Sequence, residues 1–196
     1  VNNNVMEKVQ SDTYLGDIIS SCGTSHPTIN ERIAKGYGIS NEILSIIDEV
    51  PLGGHRAVTG LKLREAMLVN GILFNSEIWY GIKEYDIVQL ERVDEYLLRG
   101  ILKAHSKTPH AALYLETGCI PIRYVIMKRQ IMYLHHILSK SPDKLIHKVY
   151  MAQKRKPVKG DWALTVKQDL IYINFNINET QIKFTKSSTI SLMPHG

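Results

Sequence analysis

The spacing of hydrophobic and polar positions changes twice along the chain. Val5–Val9 and Tyr14–Ser20 are short, partly β-branched runs separated by Gln10-Ser11-Asp12-Thr13, the pattern of a small hairpin. Ser21–Pro27 has loop composition. From Thr28 the period becomes helical: Ile29, Ile33, Ile43, Ile47 and Val50 share one face, and Thr28 with Glu31 spells a capping box. Pro51-Leu52-Gly53-Gly54 ends that helix. Arg56–Trp79 is apolar on most sides, which predicts the buried centre of a bundle. Glu84–Ala104 is amphipathic, with Ile87, Leu90, Val93, Leu97 and Ile101 inward.

The second half continues the helical text. Thr108 caps a short helix from Pro109 that stops at Gly118, and Pro121 opens a long helix to Ser139. Ser141-Pro142-Asp143 opens another, reaching Gln153. Lys154–Gly160 reads as a basic linker, and Asp161 caps a final helix through Ile173. After Asn174 the text is polar and irregular. The expected fold class is mainly α, a helical bundle preceded by a short β-hairpin.

Composition narrows the class. The 196 residues are 44% hydrophobic with a formal charge of +5, enough apolar material for a core and too little charge for disorder. The most apolar uncharged run, Ala66–Ser76, has 11 residues, against the roughly 20 that a membrane span needs. No basic-then-apolar leader precedes a small-residue cleavage site. Cys22 and Cys119 make neither a disulfide framework nor a four-cysteine zinc site. The expectation is an intracellular protein, nuclear or cytoplasmic, with no membrane partner. A first Met at position 6 and an end at Leu192–Gly196 suggest a piece of something longer.

The modest total hides an asymmetry. Residues 1–103 hold 10 basic and 14 acidic side chains, whereas residues 104–168 hold 12 and 3, a local excess of +9. Such a block suits a polyanion, and nucleic acid is the first candidate. In the helix Pro121–Ser139, Met127, Ile131, Leu134, Ile137 and Leu138 fall on one side. Lys128, Arg129, His135, His136 and Lys140 fall on the other, and no carboxylate occurs between Glu116 and Asp143. A row of cations at helical spacing matches phosphates along a strand. The plainer reading is a solvated face. Tyr124 and Tyr133 could stack on bases or simply pack.

Catalytic and metal constellations do not emerge. His135 and His136 diverge by about 100° on a helix and cannot readily share an ion with His147. Cys22 and Cys119 lack the context of a nucleophile, and Asp and Glu are scattered with no pair set for acid–base or two-metal chemistry. Gly36-Tyr37-Gly38 lacks the third glycine of a dinucleotide fingerprint and sits inside a helical pattern. Two glycines there suit close approach of another backbone, a packed helix or a nucleic-acid strand. Asn178-Glu179-Thr180 matches a glycosylation tripeptide that is common by chance.

Five segments in order resemble a known family. They are Thr13-Tyr14-Leu15-Gly16-Asp17-Ile18-Ile19 with Ile29 and Arg32-Ile33-Ala34-Lys35-Gly36; Asn75-Ser76-Glu77-Ile78-Trp79-Tyr80-Gly81; Leu90-Glu91-Arg92-Val93-Asp94; Leu113–Arg123; and Asp161-Trp162-Ala163-Leu164-Thr165-Val166. Together, over residues 5–173, they resemble the region after the palm in reverse transcriptases of non-LTR (LINE-type) retrotransposons.

The resemblance implies an RNA-directed DNA polymerase fragment. Residues 1–27 would be a hairpin remnant of the palm, 28–107 a thumb-like bundle, 108–173 a basic helical extension and 174–196 an irregular tail. Tyr14, Leu15 and Gly16 would be the primer grip, and Arg32, Lys35 and Gly36 would approach the duplex backbone. From charge, Arg123, Lys128, Arg129, His136 and Lys140 are expected to contact nucleic acid. Implied partners are the RNA template, the RNA–DNA hybrid, and the palm and fingers of the same polyprotein. The chain has no adjacent Asp-Asp, so the Mg2+ ions of polymerisation would belong to a palm upstream of Val1, with no catalytic or metal residue and no cofactor here. The alternative is a non-enzymatic helical protein-interaction domain derived from such an element.

Overall fold

One long helix serves two hydrophobic cores, and the remaining elements divide between them. The computed structural model describes residues 10–49 and 54–174. The chain is mainly helical with an antiparallel hairpin at the front, as the hydrophobic pattern predicts.

Strands β1 (Ser11–Tyr14) and β2 (Asp17–Ser20) pair with Tyr14 opposite Asp17 and Ser11 opposite Ser20. The turn is Leu15-Gly16, at φ 49° and 85°. Positive φ at both central residues is the hairpin geometry that follows strand twist, and glycine adopts it freely. The hairpin therefore folds several residues later than the run pattern predicts. Most of the expected turn, Ser11 to Thr13, is strand, and Val5–Val9 lies outside the described residues.

Helix α1 (His26–Asp48) begins ahead of Thr28. The expected capping box does not form. The Thr28 hydroxyl instead accepts the Ile18 N–H at 2.8 Å and faces the Ile18 carbonyl at 3.3 Å, tying the hairpin to the helix. Ile29, Ile43 and Ile47 are buried as the spacing requires, while Val50 is outside the described residues.

The expected Arg56–Trp79 helix is broken. Helix α2 (Gly54–Leu63) runs into a π-helical stretch, Arg64–Val69, and a last turn, α3 (Asn70–Ile72). Asn75 at φ 60° then turns the chain into a 3-10 turn at Ser76–Ile78. Asparagine tolerates that left-handed geometry better than most residues, so the break has a local cause.

Helix α4 (Glu84–Leu102) starts with the buried Asp86 carboxylate accepting the Lys83 N–H at 3.0 Å. Its other oxygen holds His26 Nδ1 at 2.6 Å. Helix α5 (His110–Thr117) stops on left-handed Gly118. The helices α6 (Ile122–Leu138), α7 (Leu145–Arg155) and α8 (Trp162–Tyr172) follow.

The first core joins Ile29, Ile43 and Ile47 of α1 to Leu68, Val69 and Ile72, to Leu90, Val93 and Leu97 of α4, and to Ile122 and Ile126 of α6. It thus reaches past residue 107. Gly36 lets α1 meet this core closely: a Cβ there would stand 2.8 Å from Val93 Cγ1 and 2.9 Å from Ile72 Cγ2. The second core joins Leu134 and Ile137, further along α6, to Trp162, Val166 and Leu170 of α8.

A buried polar network crosses the first core. Arg64 donates to both Asp94 carboxylate oxygens, at 2.6 and 2.7 Å, and to the Ile120 carbonyl at 3.3 Å. The Tyr114 hydroxyl donates to Asp94 at 3.2 Å. Burial first, then the Asp94 charge, pushes that phenol well above its ordinary range. Removing one partner of a buried ion pair strands the other. Asp94→Ala is therefore expected to cost about 3–5 kcal/mol in urea unfolding, whereas Glu31→Ala, which breaks an exposed pair with Lys35, leaves stability nearly unchanged.

Beside the second core, burial alone pushes the Asp169 carboxyl up to about 6. Its value in the unfolded chain is about 3.9, so between these limits the folded state binds the extra proton. The contribution of Asp169 is most favourable below the unfolded value and is lost as pH rises toward 6. Asp169→Asn should raise the melting temperature at pH 7, and its advantage over the native chain should shrink between pH 6 and pH 4.

Candidate nucleic-acid interface

The predicted site residues divide into groups with different fates. At the hairpin tip Tyr14, Leu15 and Gly16 are exposed, Leu15 at 74%. Directly beneath, Arg32 is only 9% exposed. Its Nη2 donates to the Gly16 carbonyl at 2.6 Å and lies 3.7 Å from Asp17 Oδ1. Its guanidinium carbon stands 5.4 Å from the centre of the Phe74 ring, within cation–π range. Arg32 is thus engaged in holding the tip, with little of it left to solvent. Lys35 is exposed and paired with Glu31. The close approach at Gly36 is to Val93 and Ile72, so a packed helix takes the space that the sequence left open to a strand of nucleic acid.

Helix α6 does not present its cations as one solvated row. Arg123 forks onto Glu91 at 2.9 Å through both nitrogens and reaches Glu84 at 2.8 Å. Those two carboxylates, Glu91 foremost, hold its pKa above the usual arginine range. The neutralising charges come from α4, about 30 residues upstream, which a local count of carboxylates cannot register. Arg129 donates to the Leu73 carbonyl and to Asn70 Oδ1 at 3.1 Å. The helical phase places it on the solvent side; its length lets it fold back onto the break after α3. Lys128, His136 and Lys140 remain exposed. Lys128, Arg129 and His136 line one shallow depression together with Glu65 and Glu77.

Leu73 and Phe74 connect the two predicted patches. Arg129 holds the carbonyl of Leu73, and the Phe74 ring lies over Arg32 and within 3.5 Å of a Cβ position at Gly16.

The strongest exposed charge lies where sequence reasoning saw mainly a linker. At about 100° per residue, Lys148 and Arg155 fall within about 20° of one another on α7, and Lys144 caps its start. All three are exposed, as are Lys156, Lys159 and Lys167. None of these six pairs with a carboxylate among the described residues. The available signal was the Lys-x3-Lys-x6-Arg spacing and the lack of an acidic residue between Asp143 and Asp161. Cys22, which has no nucleophile context in the sequence, is exposed beside the hairpin. The Ser20 hydroxyl, then that of Thr24 at 3.4 Å, holds its thiol at about 7.

No three His, Cys, Asp or Glu side chains converge among the described residues. No described helix is long and apolar enough to cross a membrane.

No family model, no curated protein and no solved structure matches the chain. The resemblance thus rests on the residues themselves.

The geometry separates two neighbouring cations on α6. Arg129→Glu should lower the melting temperature by several degrees, because it puts a carboxylate against the Leu73 carbonyl. Lys128→Glu should leave it unchanged. Thermal unfolding followed by circular dichroism distinguishes them, and equal behaviour would contradict the assigned bonds.

Proposed function

We propose that this chain is the primer-grip, thumb and following helical region of a non-LTR retrotransposon reverse transcriptase. It would hold primer–template nucleic acid by phosphate contacts without supplying the catalytic carboxylates. One observation carries the reading: the segments that bear the resemblance are one another's hydrogen-bond partners. Asn75 Nδ2 donates to Asp17 at 2.8 Å, the Tyr114 hydroxyl to Asp94, Arg123 to Glu91, and Trp162 Nε1 to the Glu77 carbonyl at 2.8 Å. The bonds span 20 to 85 residues of sequence.

The electrostatics fit the proposed work. Lys148 and Arg155 of α7, with Lys156 and Lys159 beyond it, pair with no carboxylate among the described residues, so their field is available to a polyanion. A second reading, a helical protein-interaction domain derived from such an element, draws on the exposed apolar tip formed by Tyr14, Leu15 and Ile19.

Binding of an RNA–DNA hybrid, measured by fluorescence anisotropy over a salt series, tests the proposal. Affinity should fall steeply with salt and vary little with sequence. Replacing Lys148 and Arg155 together by Glu should weaken binding and lower the salt slope by about 2, one for each lost phosphate contact. Salt-insensitive or undetectable binding would refute the grip and favour the protein-interaction reading.

A further inference from the structure

Between α6, α7 and the start of α8 lies a cavity of about 340 Å³, in the size range of small-ligand sites. Its walls include Tyr80, Tyr133, Tyr150 and Trp162, with Gln153 and Asp161 as polar groups. Trp162 is fixed by its bond to Glu77, and Tyr133 and Tyr150 meet it edge-on, at 5.6 Å and 83° and at 6.3 Å and 75°. Gln153 Oε1 accepts the Ala163 N–H at 3.3 Å, which leaves its amide NH2 as a donor. Asp161 Oδ2 accepts the Val158 N–H at 2.8 Å, which leaves Oδ1 as an acceptor.

Two ligand chemistries suit rings of this kind: a quaternary ammonium, drawn by ring faces and a carboxylate, or a nucleobase. The surroundings choose between them. The same α7 carries Lys148 and Arg155 on its exposed face, and Lys156 and Lys159 lead into Asp161. That field repels a cation and attracts the phosphates on either side of a base.

We propose that this cavity receives an unpaired nucleobase of a single strand, with the adjoining phosphates on the cations of α7 and the segment after it. Gln153 and Asp161 would offer one donor and one acceptor to the base edge. The inference rests on the nucleic-acid reading above and adds to it a site that prefers unpaired strand over duplex.

The test uses the full chain with three probes: a short oligoadenylate, a strand of equal length with abasic spacers, and a blunt RNA–DNA hybrid. The native chain should bind the oligoadenylate about tenfold more tightly than the abasic strand. Tyr150→Ala should abolish that preference and leave hybrid binding unchanged, while Tyr150→Phe keeps it. Should Tyr150→Ala melt early, Tyr80→Ala applies the same test, because Tyr80 is half exposed and lies outside the second core. Hybrid binding with no base preference overturns this inference alone, and binding to none of the probes overturns the nucleic-acid reading with it. Quenching of Trp162 by a trimethyl-lysine peptide and not by the oligoadenylate would overturn it in favour of a cation cage.

Discussion

The backbone from Leu73 to Trp79 has left one helix and not yet entered the next, and its own 3-10 turn serves only the carbonyls of Leu73, Asn75 and Ser76. A buried carbonyl left unpaired costs about 1–3 kcal/mol, so those of Glu77 and Trp79, which the turn does not serve, need donors from elsewhere in the fold, and Leu73 and Ser76 gain a second one. Arg129 serves Leu73, Gln130 serves Trp79 at 3.0 Å with a longer approach to Ser76, and Trp162 serves Glu77. On the other side, Ser25 and Tyr80 exchange bonds that fix the start of α1 to the same stretch. Asn75 adds the hairpin. The break after α3 is thus the point onto which α1, α6, α8 and the hairpin all fasten.

That constraint redistributes the charge. Arginine, with a planar fork of donors, is suited to holding carbonyls and carboxylates inside a protein. Here Arg32, Arg56, Arg64, Arg99, Arg123 and Arg129 all bond to acceptors of the chain itself. Lysine, a compact charge on a flexible stem, supplies most of the exposed cations of α7 and the segments on either side of it. The positive block at residues 104–168 is therefore two populations: Arg123 and Arg129, which assemble the fold, and Arg155 with the lysines, which face solvent. The bulk charge count merges them, and the unpaired exposed cations lie further along the chain than the phase of α6 alone suggests.

What was legible in the sequence depended on how local its cause is. The inward positions of α1 and α4 follow from apolar spacing, and Ile29, Ile43, Leu90 and Val93 lie where it puts them. Gly118 ends α5 for a reason contained in one residue. Thr28 and Arg129 were misplaced because each has a good local role, helix cap or solvated cation, that a distant acceptor outcompetes. The hairpin register was missed for a related reason: β-branched runs drew attention, while Leu15-Gly16, a two-residue turn, decided the pairing. The aromatic cavity could not be read at all, since Tyr80, Tyr133, Tyr150 and Trp162 meet only through tertiary packing.

The hairpin tip and the basic α7 are not independent. Trp162 is at once a wall of the aromatic cavity, a member of the second core and the donor to Glu77. Glu77 lies two residues from Asn75, which holds Asp17, and Asp17 follows the Gly16 whose carbonyl Arg32 grips. From the basic α7 to the hairpin tip the connection runs through packed rings and short hydrogen bonds, with the Leu73–Trp79 break at its centre. A tightly packed interior resists continuous deformation, so this arrangement sets the spacing between tip and basic helix within the fold. A ligand long enough to touch both would meet a distance set in advance.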